Sequence, residues 1–236
     1  MQEIDKVLVF EIWGDYAHFR KIETTTSPLT YFIPTGTSLA GILSAILGIE
    51  RDTYYNYFYP ENSKLAVSVR QSLKKVRINI NLKKTDDPPN KWHNQETLSP
   101  TPFEFVRDPK YRIYVWLKDN VLYKKLKDFL QQHKSFYTPY LGLSELIANF
   151  NFIGEFDVTI NQSNNEEEIN TVIRKDKSQL IIEPGKIYIK ERIPIYMDTN
   201  RVVREYADVF LEANGKPTKV RNTIYYKVGE ENVVFL

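Results

Sequence analysis

The chain contains no cysteine, and that absence excludes disulfides, thiolate nucleophiles and cysteine-ligated zinc together. Histidine is nearly as scarce: His18, His93 and His133 are scattered, with no H-x-x-x-H pair to hold a metal, and no cofactor is expected. No stretch approaches the roughly 18 apolar residues of a membrane span. The N-terminus does not read as a cleavable signal, so a cytoplasmic chain with no membrane partner is expected. Excess charge is lacking too. The net charge of +2 and a pI near 8.5 give no general electrostatic signature of nucleic-acid binding, which leaves that role to local patches. "GTSLAGIL" has the G-x-x-x-x-G spacing of a phosphate loop, but Ile42 and Leu43 stand where lysine and Ser/Thr are required, which excludes a nucleotide hydrolase. G-x-S-x-G is absent as well.

What the chain has in quantity is aromatic residues, 16 tyrosines and 13 phenylalanines in 236 residues. Aromatics favour strands and fill β-rich cores. The sharper alternative is a surface that stacks bases. Composition leaves both open.

The periodicity predicts α+β architecture. Lys6–Trp13 is apolar on nearly both faces, as a central strand is. Leu39, Ile42, Leu43, Ile46 and Leu47 then recur at helical spacing, with Thr37 or Ser38 as cap and Gly48 as terminator. Gly41, Ser44 and Ala45 form a small-residue face, expected to let that helix sit close to a sheet. A short helix is predicted in "RDTYYNYF". In "KLAVSVRQSLKKVRININLKK", Val76, Ile78, Ile80 and Leu82 alternate with Arg77, Asn79, Asn81 and Lys83, and Phe103–Lys118 is the expected partner. About twenty polar residues separate the two, a length that marks a functional or disordered loop. Asn120–His133 reads as an amphipathic helix with Val121, Leu122, Leu126, Phe129 and Leu130 inward. "ELIANFNFIGEFDVTI" reads as a closing strand. The order β-α-β-β-α-β is that of a split βαβ, ferredoxin-like (RRM-like) domain over 1–160. A polar, acidic stretch at 161–170 leads to a smaller β-rich region over 170–236.

Basic and aromatic residues gather at three loci. Tyr16, His18, Arg20 and Lys21 precede Thr24, Thr25 and Thr26; cations neutralise phosphates, hydroxyls fix register, and Tyr or His stacks a base. Lys74, Lys75, Arg77, Lys83 and Lys84 line a polar strand face and its exit, where lysines equally serve as edge protection. Lys91, Trp92 and His93 stand together in the polar insertion, where packing gives little reason for a tryptophan. Together they point to single-stranded RNA.

The block "VLVFEIWGDYAHFRKIETTTSPLTYFIPTGTSLAGILSAILGIERDTYY" resembles the N-terminal signature of CRISPR-associated family five, in particular its type I-B branch. "TPFEFVRDPKYRIYV", "TPYLGLSELIANF" and "ERIPIYMD" resemble later parts of that family, in the expected order. The resemblance implies a RAMP-superfamily fold, with a β-hairpin thumb at about 83–102 bearing Lys91, Trp92 and His93 against a partner. It implies a subunit that caps the 5′ handle of the CRISPR RNA in a Cascade surveillance complex and packs on the backbone and large subunits. Target DNA near the protospacer-adjacent motif is a further contact it allows. Gly142, in "YLGLSE", would allow close backbone approach at the RNA surface. A non-catalytic role is expected from the I-B branch. The type I-C branch instead cleaves precursor RNA without metal. For that chemistry the candidates are His18 with Tyr16 and Lys21, or Lys91 with His93.

Overall fold

The structure is a computed structural model that describes residues 4–24, 26–83 and 98–236. Strand β1 (Lys6–Trp13) is the centre of the fold. Short ladder pieces follow it: β2 (Tyr16–Ala17), β3 (Phe19–Arg20) and β4 (Thr30–Tyr31). Helix α1 spans Gly36–Leu47. Its cap is Thr35, not the expected Thr37 or Ser38. Thr35 keeps an extended backbone, and its hydroxyl accepts the Ser38 N–H, while Thr37 and Ser38 already lie inside the first turn. Gly48 ends the helix in the left-handed conformation, as expected. The predicted second helix contracts to a 3₁₀ turn at Tyr55–Phe58.

The segment read as one strand run is two strands, β5 (Ser63–Val69) and β6 (Lys74–Lys83). Their expected partner is likewise divided into β7 (Leu98–Arg107) and β8 (Lys110–Leu117). β6 pairs with β7 over its whole length, from Lys74 opposite Arg107 to Lys83 opposite Leu98. β8 turns back instead between β1 and β5. Helix α2 (Asn120–Gln131) is capped by Asp119, which accepts the Val121 and Leu122 N–H groups. Leu126 and Leu130 are its buried anchors; Val121, expected inward, is 76% exposed because it sits in the first turn, off the stripe that faces the sheet.

β9 (Asn149–Ser163) is the expected closing strand, long enough to pair with β1 and then to run on beyond it. Short strands follow: β10 (Glu167–Ile169), β11 (Ile173–Arg174) and β12 (Gln179–Leu180). The long hairpin β13 (Tyr188–Met197) and β14 (Val203–Glu212) comes next, then β15 (Thr218–Arg221), β16 (Thr223–Val228) and β17 (Glu231–Val233). The main sheet has the order β17-β16-β9-β1-β8-β5, and its paired neighbours are antiparallel.

Alternation on β1 divides the core. Leu8, Phe10 and Ile12 face α1 and α2, and Val7 and Val9 face the C-terminal strands. Full burial of each such side chain contributes about 1.5–3 kcal/mol. Ile193, Ile195, Val209 and Leu211 of the β13–β14 hairpin join the helix-side core. None of the helices among the described residues is long and apolar enough to cross a membrane.

Candidate nucleic-acid interface

The loop after β1 is held by its own side chains. His18 is 1% exposed, packed between the Phe103 and Phe105 rings at 5.4 and 5.6 Å. Its Nδ1 donates to the Glu104 carbonyl at 2.7 Å, which fixes the tautomer and leaves Nε2 buried without a partner. Burial pushes its pKa below the ordinary histidine value, so the ring is neutral. An expected base-stacking histidine is thus a core histidine, because the β7 aromatics close over it. Tyr16 is half-buried, edge-on to Phe105 at 5.9 Å, and lies one rung across Arg107 from Lys74.

Two of the expected phosphate ligands are already paired. Lys21 meets Glu191 at 2.8 Å, and the other oxygen of that buried carboxylate accepts the Phe32 N–H. Lys75 donates to the Thr30 carbonyl and to Glu104, and sits 4.1 Å from the Phe32 ring centre. Burial raises the Glu104 pKa, but the bond and charge of Lys75, the Thr30 N–H and the charge of Arg77 together outweigh it and hold the carboxyl below its usual range. Thr24 closes the loop through bonds to the Lys21 carbonyl and the Leu29 N–H. Arg20, Thr26, Lys74 and Arg77 remain exposed. Thr25, Lys84, Lys91, Trp92 and His93 lie outside the described residues, and for Lys83 the description stops at the backbone.

Gly142 does allow a close backbone approach, but to the chain itself. Its φ is +100°, and a Cβ there would lie 2.0 Å from the His18 carbonyl oxygen. The neighbouring Leu141 carbonyl accepts the His18 N–H at 2.9 Å. Residues 138–147 therefore brace the β2–β3 segment from below.

That same segment carries Tyr140 into a groove beside α1. The groove has a volume of about 810 Å³ and continues into a smaller recess of about 190 Å³ that shares Gly41, Ala45, Tyr54 and Tyr140. Gly41, Ser44 and Ala45 form its floor, so the small-residue face of α1 keeps a channel open rather than meeting the sheet, which the Leu39, Leu43 and Ile46 side packs against. Tyr54, Tyr137 and Tyr140 form the walls, the last two 47% and 43% exposed. Arg51 and Arg201 stand at the rim. Arg201 grips Asp52 with two nitrogens, and the Tyr55 hydroxyl donates to the same carboxylate; together these bonds hold Asp52 at a pKa of about 2. Burial raises the Tyr54 phenol and pushes Tyr55 up to about 12. These walls were not singled out from the sequence. The signal was the clustering of aromatics beside turn residues in "RDTYYNYF" and "SFYTPYLGL".

A groove with small residues beneath and tyrosines at the sides offers stacking faces to a single strand. Both rim arginines already meet Asp52, so the exposed cations for phosphates are Arg20, Lys74 and Arg77. Comparison with known proteins adds the lineage. The family model Cas_Cas5d, described as "CRISPR-associated protein (Cas_Cas5)", matches residues 7–211. A CRISPR protein from Archaeoglobus fulgidus superimposes with a TM-score of 0.55 at 15% identity, covering 99% of each chain, which shows a shared fold. A chain of a CRISPR RNA-guided surveillance complex aligns with a TM-score of 0.49 and 12% identity over 89% of this chain and 91% of that one. No curated protein sequence matches significantly. With most of its length matched by that model, the chain belongs to the CRISPR-associated Cas5 family.

Proposed function

We propose that this chain is a non-catalytic subunit of a type I-B CRISPR Cascade complex that holds the 5′ handle of the CRISPR RNA. In this reading it joins the backbone and large subunits, with target DNA near the protospacer-adjacent motif as a further contact. The four strands β9-β1-β8-β5, with both helices on one face, are read as the ferredoxin-like RAMP core.

The observation that carries the proposal is the tyrosine-walled groove beside α1, joined through the Leu141–His18 bond to the β2–β3 segment that carries the exposed Arg20, with the exposed Lys74 and Arg77 on β6. Stacking is sequence-tolerant and the exposed Arg20, Lys74 and Arg77 are available to phosphates, so a short single strand is the ligand such a surface fits best. The I-B placement rests on the N-terminal sequence block. The matching family model carries the name of the I-C branch, and that observation favours a second reading, metal-independent cleavage of precursor RNA. Among the described residues, the sealing of His18 between two phenylalanines supports the non-catalytic reading, while the other candidates, Lys91 and His93, lie outside them.

Incubating the protein with labelled repeat RNA in EDTA, and following both gel shift and strand length, tests this directly. Salt-sensitive binding of intact RNA is expected. Cleavage at one position would establish the second reading, and no binding at low salt would remove both.

A further inference from the structure

On the face of the main sheet away from the helices lies a second recess, of about 500 Å³, between β5, the end of β9, β16 and the Asp176–Lys177 turn. Its volume falls in the range of small-ligand sites. Two lysines reach into it from different elements. The Lys64 ammonium donates to the Pro60 carbonyl at 2.7 Å, and the Lys177 ammonium to the Phe235 carbonyl at 2.9 Å. Neither ammonium pairs with a carboxylate among the described residues, whereas Lys21, Lys75, Lys110 and Lys127 each do.

The neighbouring charges do not change this. Asp176 also lines the recess, but both its oxygens are taken by Arg174, which in turn holds Glu205 at 2.7 Å. Carbonyl partners orient an ammonium without offsetting its charge. The consequence is visible at Lys177, an exposed residue whose ammonium is drawn onto the Phe235 carbonyl. Burial of the head, then the charge of Arg174, lower its pKa to about 8, Asp176 and Glu205 oppose the fall, and Lys64 adds to it. The recess therefore holds positive charge that an anion would stabilise. Of its other walls, the half-buried Tyr226 offers a ring, set edge to face on the buried Phe235 at 4.9 Å, and Gln162 and Asn222 supply amide donors and acceptors.

We propose that this recess is a second ligand site, separate from the α1 groove, that takes one nucleoside monophosphate unit with its phosphate between Lys64 and Lys177. The unit is either a free mononucleotide or one residue of a polynucleotide strand.

The test is an NMR pH titration of the full chain, its lysines reductively methylated with ¹³C-formaldehyde, alone and with uridine 5′-monophosphate, inorganic phosphate or a 5′-hydroxyl oligouridylate. Uridine monophosphate is expected to raise the Lys177 midpoint by about one pH unit. Lys177→Met and Lys64→Met should each weaken its binding by about tenfold, the loss of one charge-assisted contact, while Lys177→Arg retains it. A Lys177 shift with the oligouridylate identifies a strand unit; a shift with the mononucleotide only identifies the free nucleotide. A Lys177 midpoint unmoved by both millimolar uridine monophosphate and the oligouridylate overturns the proposal. Inorganic phosphate binding as tightly as the nucleotide overturns the nucleotide assignment.

Discussion

Replacing Gly142 by alanine tests how the tyrosine groove is tied to the β2–β3 segment. At φ +100° an added Cβ would sit 2.0 Å from the His18 carbonyl oxygen and 2.6 Å from its carbon, both backbone atoms that cannot swing away as a side chain would. An L-residue in left-handed backbone costs about 1–2 kcal/mol. Separating the two segments also breaks the His18 N–H bond to the Leu141 carbonyl, about 1 kcal/mol more. The sum is about 2–3 kcal/mol, which in a chain of this size lowers Tm by roughly 4–12 °C. Gly185 provides the control. Its φ is +77°, but nothing lies within 4 Å of the position a Cβ would take, so Gly185→Ala carries only the conformational cost of about 1–2 kcal/mol. Urea and thermal unfolding of the two variants measure the difference. A Gly142→Ala protein no less stable than Gly185→Ala would refute the close approach as a constraint on the fold.

Other outcomes follow from the pairing pattern. Lys21→Ala strips the cation from a carboxylate with 3% side-chain exposure and should cost about 3 kcal/mol in urea unfolding, whereas Arg20→Ala should stay within about 0.5 kcal/mol. For RNA, Arg20→Ala with Arg77→Ala should flatten the salt dependence of binding without lowering Tm; an unchanged slope would take those arginines out of the interface. Acid should act through Glu11 and Glu231. Burial raises both carboxyls, but Lys110 and Arg112 at Glu11, and Tyr114 and Arg112 at Glu231, outweigh it and hold them below the usual range. Their contribution is complete above an unfolded pKa of about 4.3 and is lost as pH falls through the lower folded values. Urea unfolding from pH 6 to pH 3 should show that loss, and Glu11→Gln should reduce it. His18 acts in a higher window. Its folded value is lowered by burial, so its contribution is complete above the unfolded pKa of about 6.5 and fades as pH falls, and its ring resonances should titrate below the midpoint of an exposed imidazole.

The elements with strong periodicity were legible in the sequence. β1, α1, α2 and β9 each carry an apolar pattern that matches the face they bury, and Gly48 stops α1 where expected. The β6–β7 register was legible only in half, because Phe103–Lys118 reads as one strand through Asp108–Pro109, although that Asp-Pro pair is a turn signal and Asp108 takes a φ of +49° between the two strands. The site was harder to read. Lys21 and Lys75 look like free cations until Glu191 and Glu104 arrive from 170 and 29 residues away, and long-range pairing leaves no trace in local composition. The α1 floor shows the same limit: Gly41, Ser44 and Ala45 announce close packing in sequence, yet only tertiary placement decides that the close neighbour is an open groove.

Mapping where RNA touches the protein tests the central claim most directly. Repeat RNA carrying 4-thiouridine in its 5′ handle, crosslinked to the protein and located by mass spectrometry, should mark peptides containing Tyr54, Tyr137 or Tyr140, and Tyr54→Ala with Tyr140→Ala should weaken binding by about 1–3 kcal/mol for each stacked base. Crosslinks confined to surfaces away from α1, with the tyrosine variants binding as tightly as the parent, would contradict the assignment of the groove as the RNA site.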